Sequence, residues 1–448
     1  MNEDYLARLS CPYCGGDVKL EEVLEKREGE IDYAITQCEC DQYPIIEGIL
    51  VLNKGFNLEM ANHFLTQRRF SDALNSLIQI KPFYYFLSIV ELSGMVSYFE
   101  RMNLSLARNA ARAYRRRLNR PLLEGSRLTF FETIDALNWG IYGEYLKGRF
   151  LQPDLLGNRV LIHLLMNDQQ TRKPVLDLCC GAGHHAWILS HYFVESNITC
   201  ADIRFVNLLL TKRFFVKKAN FICFDANIGL PFARNMFSTI TCFDAFYRIA
   251  AKRLLACEFE RVLDSEGVIL LSSLPNRLKT GKKYVGGGEA FAPKGYSGLF
   301  ENLHVRLIPE QVGVQAFLAT DKIDLATEIR NSDLQNAVRL SLLATHNGEK
   351  LRVYRDFGIA LFEKTLGNFV VNPIYRVEAE GNNLHIYKTT QSKHAGYVKD
   401  GWEQYVINKE LLGPIKKNDL NARQLNELYQ MWKNFVLIDA PPRYFPTI

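Results

Sequence analysis

The run Val175-Leu176-Asp177-Leu178-Cys179-Cys180-Gly181-Ala182-Gly183 constrains this chain more than any other stretch. Its apolar half reads as a buried strand, and it passes through two glycines into the helix-forming Ala186-Trp187-Ile188-Leu189. A strand, a glycine turn and a helix make the first unit of a doubly wound parallel sheet. The glycines supply the positive φ of a sharp turn and let backbone approach a ligand closely. Three more strands follow in order. Asn197–Asp202 ends in a carboxylate about 20 residues after the glycines, where an acid can accept both hydroxyls of a ribose. Asn220–Asn227 contains Asp225, placed to accept an exocyclic amine of adenine. Phe237–Asp244 is preceded by Leu230-Pro231-Phe232, and a helix ending in Phe259–Gly267 leads to a fifth strand, Val268–Ser273.

A chain of 448 residues exceeds one compact core; at roughly 150 residues per unit it holds about three domains. Apolar residues at 48% and charged residues at 23% leave no room for a dominant disordered region. The net charge of +5, from 54 basic and 49 acidic residues, gives only a weak long-range field, so nucleic-acid binding requires a local patch. Met1-Asn2-Glu3-Asp4-Tyr5 lacks the apolar region of a secretory signal, and no apolar run approaches the roughly 18 residues that cross a bilayer. The reading is a cytoplasmic protein without membrane contact. There, cysteines serve as metal ligands or reduced core residues. Cys179, Cys180, Cys200, Cys223, Cys242 and Cys257 lie in or beside apolar segments and read as small core hydrophobes.

The other four cysteines form a pattern. Cys11-Pro12-Tyr13-Cys14-Gly15-Gly16 puts two thiolates on a tight turn, and Cys38-Glu39-Cys40 brings two more, followed by an apolar strand pair around Gly48. Four thiolates close a tetrahedral zinc site with no open position, so such a metal contributes folding energy and no catalysis. A module of about 50 residues needs such a staple. The Cys-x-Cys half is tighter than the usual spacing. With Tyr43-Pro44-Ile45-Ile46-Glu47-Gly48-Ile49, residues 6 to 53 resemble the small zinc-ribbon family found free-standing in bacteria and as the activating subunit of several methyltransferases. The resemblance implies a module that stabilises the enzyme it accompanies.

From Met60 to Leu165 apolar residues recur at three-to-four spacing, which predicts helices. Phe70, Leu74, Leu77 and Ile78 share one face, and Phe83, Phe86, Leu87 and Val90 another. Ala107–Leu118 is alanine-rich and carries five arginines, either a solvated face or a contact for an anionic partner. Tyr142–Phe150 precedes the helix Leu155–Met166.

The ordered parts of the α/β region resemble the class I S-adenosylmethionine-dependent methyltransferase superfamily. The shared features are Asp177-x-x-x-Gly181-x-Gly183, an acid after strand two, Asp225-Ala226 with Leu230-Pro231-Phe232 after strand three, and Arg261-Val262-Leu263-x-x-x-Gly267 before strand five. Cys179 stands where a glycine is common, Ser265 and Glu266 where Pro-Gly-Gly is usual, and His184 is a further departure. A dehydrogenase glycine pattern counted from Gly181 would need glycine where Ala186 stands. The resemblance implies S-adenosyl-L-methionine as cofactor. It assigns Asp177, Gly181, Ala182 and Gly183 to the methionine end, Asp202 to the ribose, and Asp225 with Ala226 to the adenine, with Cys179, Ile203 and Phe243 completing the set. For each carboxylate the plain alternative is a strand-end or helix-capping residue. In this class a helix at the position of Tyr142–Phe150 often covers the cofactor, which makes Tyr145 and Arg149 candidate lid residues, with core packing as the alternative.

Lys350–Lys364 reads as two strands around Gly358, the antiparallel pair that ends such a sheet. Between it and strand five lies an insertion over 278–332 with Gly286-Gly287-Gly288, read as a flexible substrate lid since no helix follows at phosphate-loop spacing. In the tail, Pro373–Val377 and Leu384–Lys388 flank a hairpin turn, and Leu420, Leu425, Leu428, Tyr429 and Trp432 mark an amphipathic helix before Phe435–Ile438. This could be a winged-helix-like module that binds peptide or nucleic acid, or a structural cap on the enzyme.

The expectation is therefore a Rossmann-like, seven-stranded α/β methyltransferase sheet with an N-terminal zinc ribbon. The units are a zinc ribbon over 1–55, a helical segment over 56–150, the methyltransferase domain over 151–366 with its insertion, and an α+β module over 367–448. Methyl transfer from a sulfonium needs little covalent help, so the lack of a base motif does not argue against activity. Asp244, Tyr247 and His184 are candidates to orient or deprotonate the acceptor, and each is as readily structural. No Asn-Pro-Pro-Tyr sequence follows strand four and no cysteine pair suits uracil-C5 chemistry, so the acceptor is read as a small molecule or peptide. The alternatives are an RNA substrate, resting on the arginine run and the zinc module, and a non-catalytic scaffold with a degenerate fold.

Overall fold

The computed structural model describes residues 1–78, 105–123, 127–151, 154–166, 171–281, 288–365, 368–387, 404–414 and 420–446. Four strands come from the N-terminal module: β1 (Lys19–Arg27), β2 (Glu30–Gln37), β3 (Gln42–Ile46) and β4 (Ile49–Val51). The α/β region adds β5 (Val175–Leu178), β6 (Ile198–Asp202), β7 (Asn220–Cys223), β8 (Phe237–Phe243), β9 (Leu263–Pro275), β10 (His304–Pro309), the short β11 (Ile323–Asp324) and β12 (Arg339–Thr345). All but β11 join one sheet of order β1-β2-β3-β4-β7-β6-β5-β8-β9-β12-β10.

Among the described residues the sheet has eleven strands, seven from the α/β region and four from the cysteine module, which continues the sheet instead of standing apart from it. β4 lies parallel to β7, with Leu50 opposite Ile222 and Val51 opposite Cys223. Ile49, Leu50 and Val51 are buried, as parallel strands covered on both faces must be. The joint is reinforced where Ser10 N–H donates to Pro231 O at 3.1 Å, Leu52 N–H to Cys223 O at 2.7 Å, and Tyr5 Oη lies 2.6 Å from Thr199 Oγ1. At the far edge, β1 is exposed and highly charged, which protects a sheet edge from further pairing.

Strands β4 and β7 to β9 are parallel neighbours through β6, β5 and β8, and β12 and β10 close the sheet antiparallel. The chain runs outward from β5 on both sides, to β6 and to β8, so the order reverses between β5 and β8. Ligands bind beyond the carboxyl ends of strands at such a reversal.

Two expectations are corrected here. The antiparallel end of the sheet is built by β12 and β10, and β10 falls inside the span read as an insertion. Lys350–Lys364 instead holds a helical turn, a two-residue strand paired with β11, and the helix Gly358–Glu363. Gly358 is demanded by close approach, since a Cβ there would lie 1.9 Å from Tyr429 Oη on a C-terminal helix. Of the glycine run, Gly286 and Gly287 lie outside the described residues, as do Phe83, Phe86, Leu87 and Val90.

The helix Phe70–Leu77 buries Leu74 and Leu77 as its spacing requires. The arginine-rich helix Ser105–Leu123 spends much of its charge internally. Arg115 is fully buried and donates to Ser76 O at 3.3 Å, Arg116 pairs with Asp72 at 2.7 Å, and Arg112 stacks over the Phe64 ring at 5.3 Å. The run is thus not one continuous basic face.

The tail forms the expected hairpin, with Glu380 opposite Asn383, and the helix Ala422–Lys433 beside two three-stranded sheets. It packs on the rest of the chain. Tyr429 Oη donates to Asp321 at 2.8 Å, and the buried Asp439 lies 3.5 Å from Arg159 on the helix Asp154–Leu165. Among the described residues no helix is long and apolar enough to cross a membrane.

Candidate functional site

At the carboxyl end of β5 the chain turns through left-handed conformations at Cys179 (φ 57°), Gly181 (φ 57°) and Gly183 (φ 99°), then enters the helix His184–Leu189. Gly181 and Gly183 are required for different reasons. Among the described residues nothing lies within 4 Å of a Cβ built on Gly181, whereas one on Gly183 would sit 2.7 Å from Thr211 Cγ2. The first glycine leaves open space above the turn, and the second lets a helix pack closely. Thr211 Oγ1 also donates to Gly181 O at 3.1 Å, fixing the turn from below.

Asp202, at the end of β6, faces this turn. Its Oδ2 accepts from Gly181 N–H at 3.0 Å, and its Oδ1 from Arg204 N–H at 2.8 Å and Asn207 Nδ2 at 3.1 Å. Burial pushes its proton affinity up, opposed by these three donors. Asp177 lies beneath the turn on β5, buried, with Oδ1 accepting from Thr241 Oγ1 at 2.9 Å and Oδ2 without a hydrogen-bond partner among the described residues. Burial raises its pKa to about 7, against the pull of the Thr241 bond. Asp225 is half-buried past β7, and its Oδ1 accepts from Asn227 N–H and Nδ2 at 2.9 and 2.8 Å.

These groups surround a cleft of about 660 Å³, within the range of small-molecule sites. Of the residues proposed for the cofactor, Cys179, Gly181, Ala182, Asp202, Ile203, Asp225, Ala226 and Phe243 line it. Asp177 and Gly183 stand behind the wall. The helix Ile141–Lys147 runs over the cleft and contributes Tyr142 and Tyr145, with Arg149 just beyond it. Tyr145 Oη donates to Asp244 Oδ2 at 2.7 Å, and the buried Arg149 reaches the same oxygen at 3.2 Å. Both lid candidates are therefore at the cleft. Asp244 takes φ 54° at the end of β8, a strained backbone for a non-glycine residue, which aims its carboxylate at this pair.

The other two catalytic candidates are placed differently. His184 touches the cleft wall but is buried among Phe130, Phe150 and Phe215, with Nε2 3.0 Å from Tyr444 Oη, and burial holds it neutral. Tyr247 is buried and does not line the cleft. Gly288 packs against its carbonyl, which accepts from Glu289 N–H at 3.0 Å. Residues that sequence reading passed over include Asn207, Thr211 and Thr241, which hold the acids and the turn, and Tyr142, whose hydroxyl donates to Asn207 Oδ1 at 3.3 Å. A polar residue one helical turn past the Asp202 strand end was the available signal for Asn207.

A second cluster lies at the N-terminal end. The sulfurs of Cys11, Cys14, Cys38 and Cys40 all fall within 4.8 Å of one another. Cys11–Cys40 and Cys14–Cys38 are 3.7 Å apart, and Cys38–Cys40 3.5 Å. Tetrahedral zinc with bonds of about 2.3 Å separates its sulfurs by about 3.8 Å, while a disulfide needs about 2.05 Å. The spacing fits a metal and excludes a disulfide, and Cys40 belongs to the set despite its tight Cys-x-Cys spacing. Tyr13 N–H and Cys40 N–H approach Cys11 and Cys38 sulfur at 3.4 Å, as thiolates require. The module reaches the cleft through Asn53, whose Nδ2 donates to Ile203 O at 2.8 Å.

Comparison with known proteins gives one family. Residues 176–271 match the family model described as a methyltransferase domain. No curated protein matches the chain. Among solved structures it is similar to the YcgJ protein of Bacillus subtilis, at 18% identity over 43% of this chain and 99% of that one, with a TM-score of 0.30. It is also similar to a chain from a complex containing the Haloferax volcanii Trm112 methyltransferase activator (14% identity, 42% and 89% covered, TM-score 0.31). A third is an S-adenosylmethionine-dependent methyltransferase of Aquifex aeolicus (13% identity, 42% and 88% covered, TM-score 0.29). The matched stretch, residues 176–271, holds the glycine turn, the acids Asp202, Asp225 and Asp244 and most of the residues that line the cleft.

Proposed function

We propose that this protein is an S-adenosylmethionine-dependent methyltransferase acting on a small molecule or peptide, with a structural zinc ion held by Cys11, Cys14, Cys38 and Cys40. The observation that carries the reading is the convergence of Gly181, Asp202 and Asp225 on one cleft at the sheet's reversal point. The residues present fit the cofactor. Asp202 lines the cleft at the end of β6, where the lone pairs left over by Gly181, Arg204 and Asn207 would accept ribose hydroxyls; the space above Gly181 admits a ligand against backbone, and the buried Asp177 Oδ2, without a partner among the described residues, lies beneath the turn. When bound, S-adenosylmethionine supplies an electrophilic methyl group on a sulfonium.

The chain's own residues position and shield. Tyr142 and Tyr145 line the cleft on its helix side and would narrow the access of water to a bound ligand, which favours a displacement that needs little covalent help. Asp244 has one oxygen occupied by Tyr145 and Arg149, and its other oxygen is the group best placed to orient an acceptor N–H or O–H. His184 and Tyr247 take structural roles. The arginine run supports RNA binding poorly, since Arg115 is buried and Arg116 is paired.

The zinc module then acts as a built-in stabiliser, joined to the enzyme through β4 and Asn53. None of the ten cysteines is in a disulfide, in keeping with a reducing compartment such as the cytoplasm. The tail is read as a structural cap. The test is calorimetry with S-adenosylhomocysteine, followed by mass spectrometry of extract components exposed to methyl-deuterated cofactor and protein. Binding with a labelled acceptor is expected, binding without any labelled product would favour a scaffold, and no heat of association would overturn the reading.

A further inference from the structure

Tyr444 belongs to no element of the methyltransferase domain, yet it is among the fully buried side chains. Its hydroxyl lies between two parts that frame the cleft. His184 Nε2 is 3.0 Å away, while Leu146 O and Lys147 O, at the end of the helix over the cleft, are 3.0 and 3.1 Å away. A hydroxyl donates one proton and a carbonyl donates none, so the tyrosine proton goes to the two carbonyls and the histidine must donate. The bonds therefore run in one direction, from the imidazole Nε2–H to the phenol and from the phenol to the helix end.

Both ends of this relay bear on the cleft. His184 is the first residue of the helix that follows Gly183. The helix Ile141–Lys147 carries Tyr142 and Tyr145, and Arg149 follows it to meet Asp244. The tyrosine is itself held on two sides. Its ring stacks on Phe130 at 5.0 Å with 9° between planes, and meets Phe150 edge-on at 4.8 Å. Its backbone is fixed because Phe130 N–H donates to Arg443 O at 2.7 Å and Phe131 N–H to Tyr444 O at 3.2 Å. These two N–H groups open the helix Phe130–Leu137, so the tail supplies acceptors that a helix start needs.

We infer that Tyr444 is a positioning residue for the cleft: it ties the helix Ile141–Lys147 to the glycine turn and so sets how tightly the cleft closes on its ligand. The ligand half of this inference rests on the cofactor reading above. Removing the hydroxyl breaks its bonds to His184, Leu146 and Lys147 together, and a net loss of about 1.4 kcal/mol corresponds to a tenfold change in an equilibrium constant.

The experiment compares wild type and Tyr444→Phe in the full chain, since phenylalanine keeps the aromatic stack and removes only the hydroxyl. Without ligand, amides of residues 141–147 should exchange about tenfold faster in the variant, while those of β5 and β8 keep their rates. S-adenosylhomocysteine should bind about tenfold more weakly. Unchanged exchange at 141–147, or equal binding by wild type and variant, overturns the positioning role alone. Absence of binding by the wild type overturns the cofactor reading, and the exchange result then still decides whether Tyr444 holds the helix. Should Tyr444→Phe not fold, His184→Phe breaks the same relay from its other end and is read by the same exchange measurement.

Discussion

Alanine at Gly181 and alanine at Gly183 should fail in opposite ways, although the two positions are separated by one residue. At Gly181 the added methyl meets no atom of the described residues within 4 Å, so its folding cost is that of an L residue at φ 57°. That is roughly 1–2 kcal/mol. At Gly183 the same conformational cost applies at φ 99°, and the methyl also falls 2.7 Å from Thr211 Cγ2 and 2.9 Å from its Oγ1. Overpacking of this kind adds about 1–3 kcal/mol, giving roughly 2–5 kcal/mol in all. Thr211 must move, and its bond to Gly181 O goes with it. For ligand binding the order reverses. The Gly181 methyl projects into the cleft, where about 1–3 kcal/mol of clash is a factor of roughly 5 to 150 in affinity. Urea unfolding and calorimetric titration with S-adenosylhomocysteine, run on both variants, separate the effects. Gly181→Ala should stay within about 2 kcal/mol of wild-type stability and lose most of its affinity, whereas Gly183→Ala should be the less stable protein. A folded Gly181→Ala that binds like wild type would refute the placement of the ligand above the turn.

Further outcomes follow from other parts of the structure. Purified protein should carry about one zinc per chain by elemental analysis, and Cys14→Ser should release it and lower the melting temperature; metal-free protein of unchanged stability would contradict the structural role. Asp177, with a pKa raised to about 7 from 3.8, holds its proton more tightly when folded. Its contribution to stability is therefore full below the unfolded pKa and is lost as pH rises through about 7, with a slope of at most about 1.4 kcal/mol per pH unit. Asp177→Asn, which keeps a partner for Thr241, should flatten the urea midpoint between pH 5 and 7.5 relative to wild type, and parallel curves would show that burial does not shift this acid. Asp244→Asn should slow labelled-methyl transfer by about 10²-fold or more with affinity for S-adenosylhomocysteine nearly unchanged; wild-type turnover would remove Asp244 from the acceptor side.

The glycine turn was legible because its demands are local. Gly181 and Gly183 have φ values that other residues adopt at a cost, and Asp202 follows on the next strand at a distance set by one helix. The cysteine cluster was legible for a similar reason, since a metal fixes residue types outright. What the sequence concealed depends on distant partners. Gly358 looked like a turn between strands, but the constraint on it is Tyr429 from the tail. β10 and β12 were missed because a strand at the antiparallel end carries no turn signal tying it to the sheet. The arginines of Ser105–Leu123 look alike in sequence, and only packing tells the buried Arg115 from its neighbours. Tyr444 offered no pattern at all, being defined by three bonds to residues that lie some 260 to 300 positions earlier.

The pairing of β4 with β7 has a consequence for how the protein is made. Leu50 meets Ile222, so about 170 residues separate the partners. At about 5–20 residues per second, a ribosome needs on the order of 10–35 s to deliver the second strand after the first. Throughout that interval the apolar edge Ile49-Leu50-Val51 is without its neighbour and is the kind of surface that recruits other chains. Early metal capture by the four thiolates would keep β1 to β4 folded as a unit while they wait. Zinc-starved cells should consequently yield insoluble nascent chains before they yield inactive finished ones.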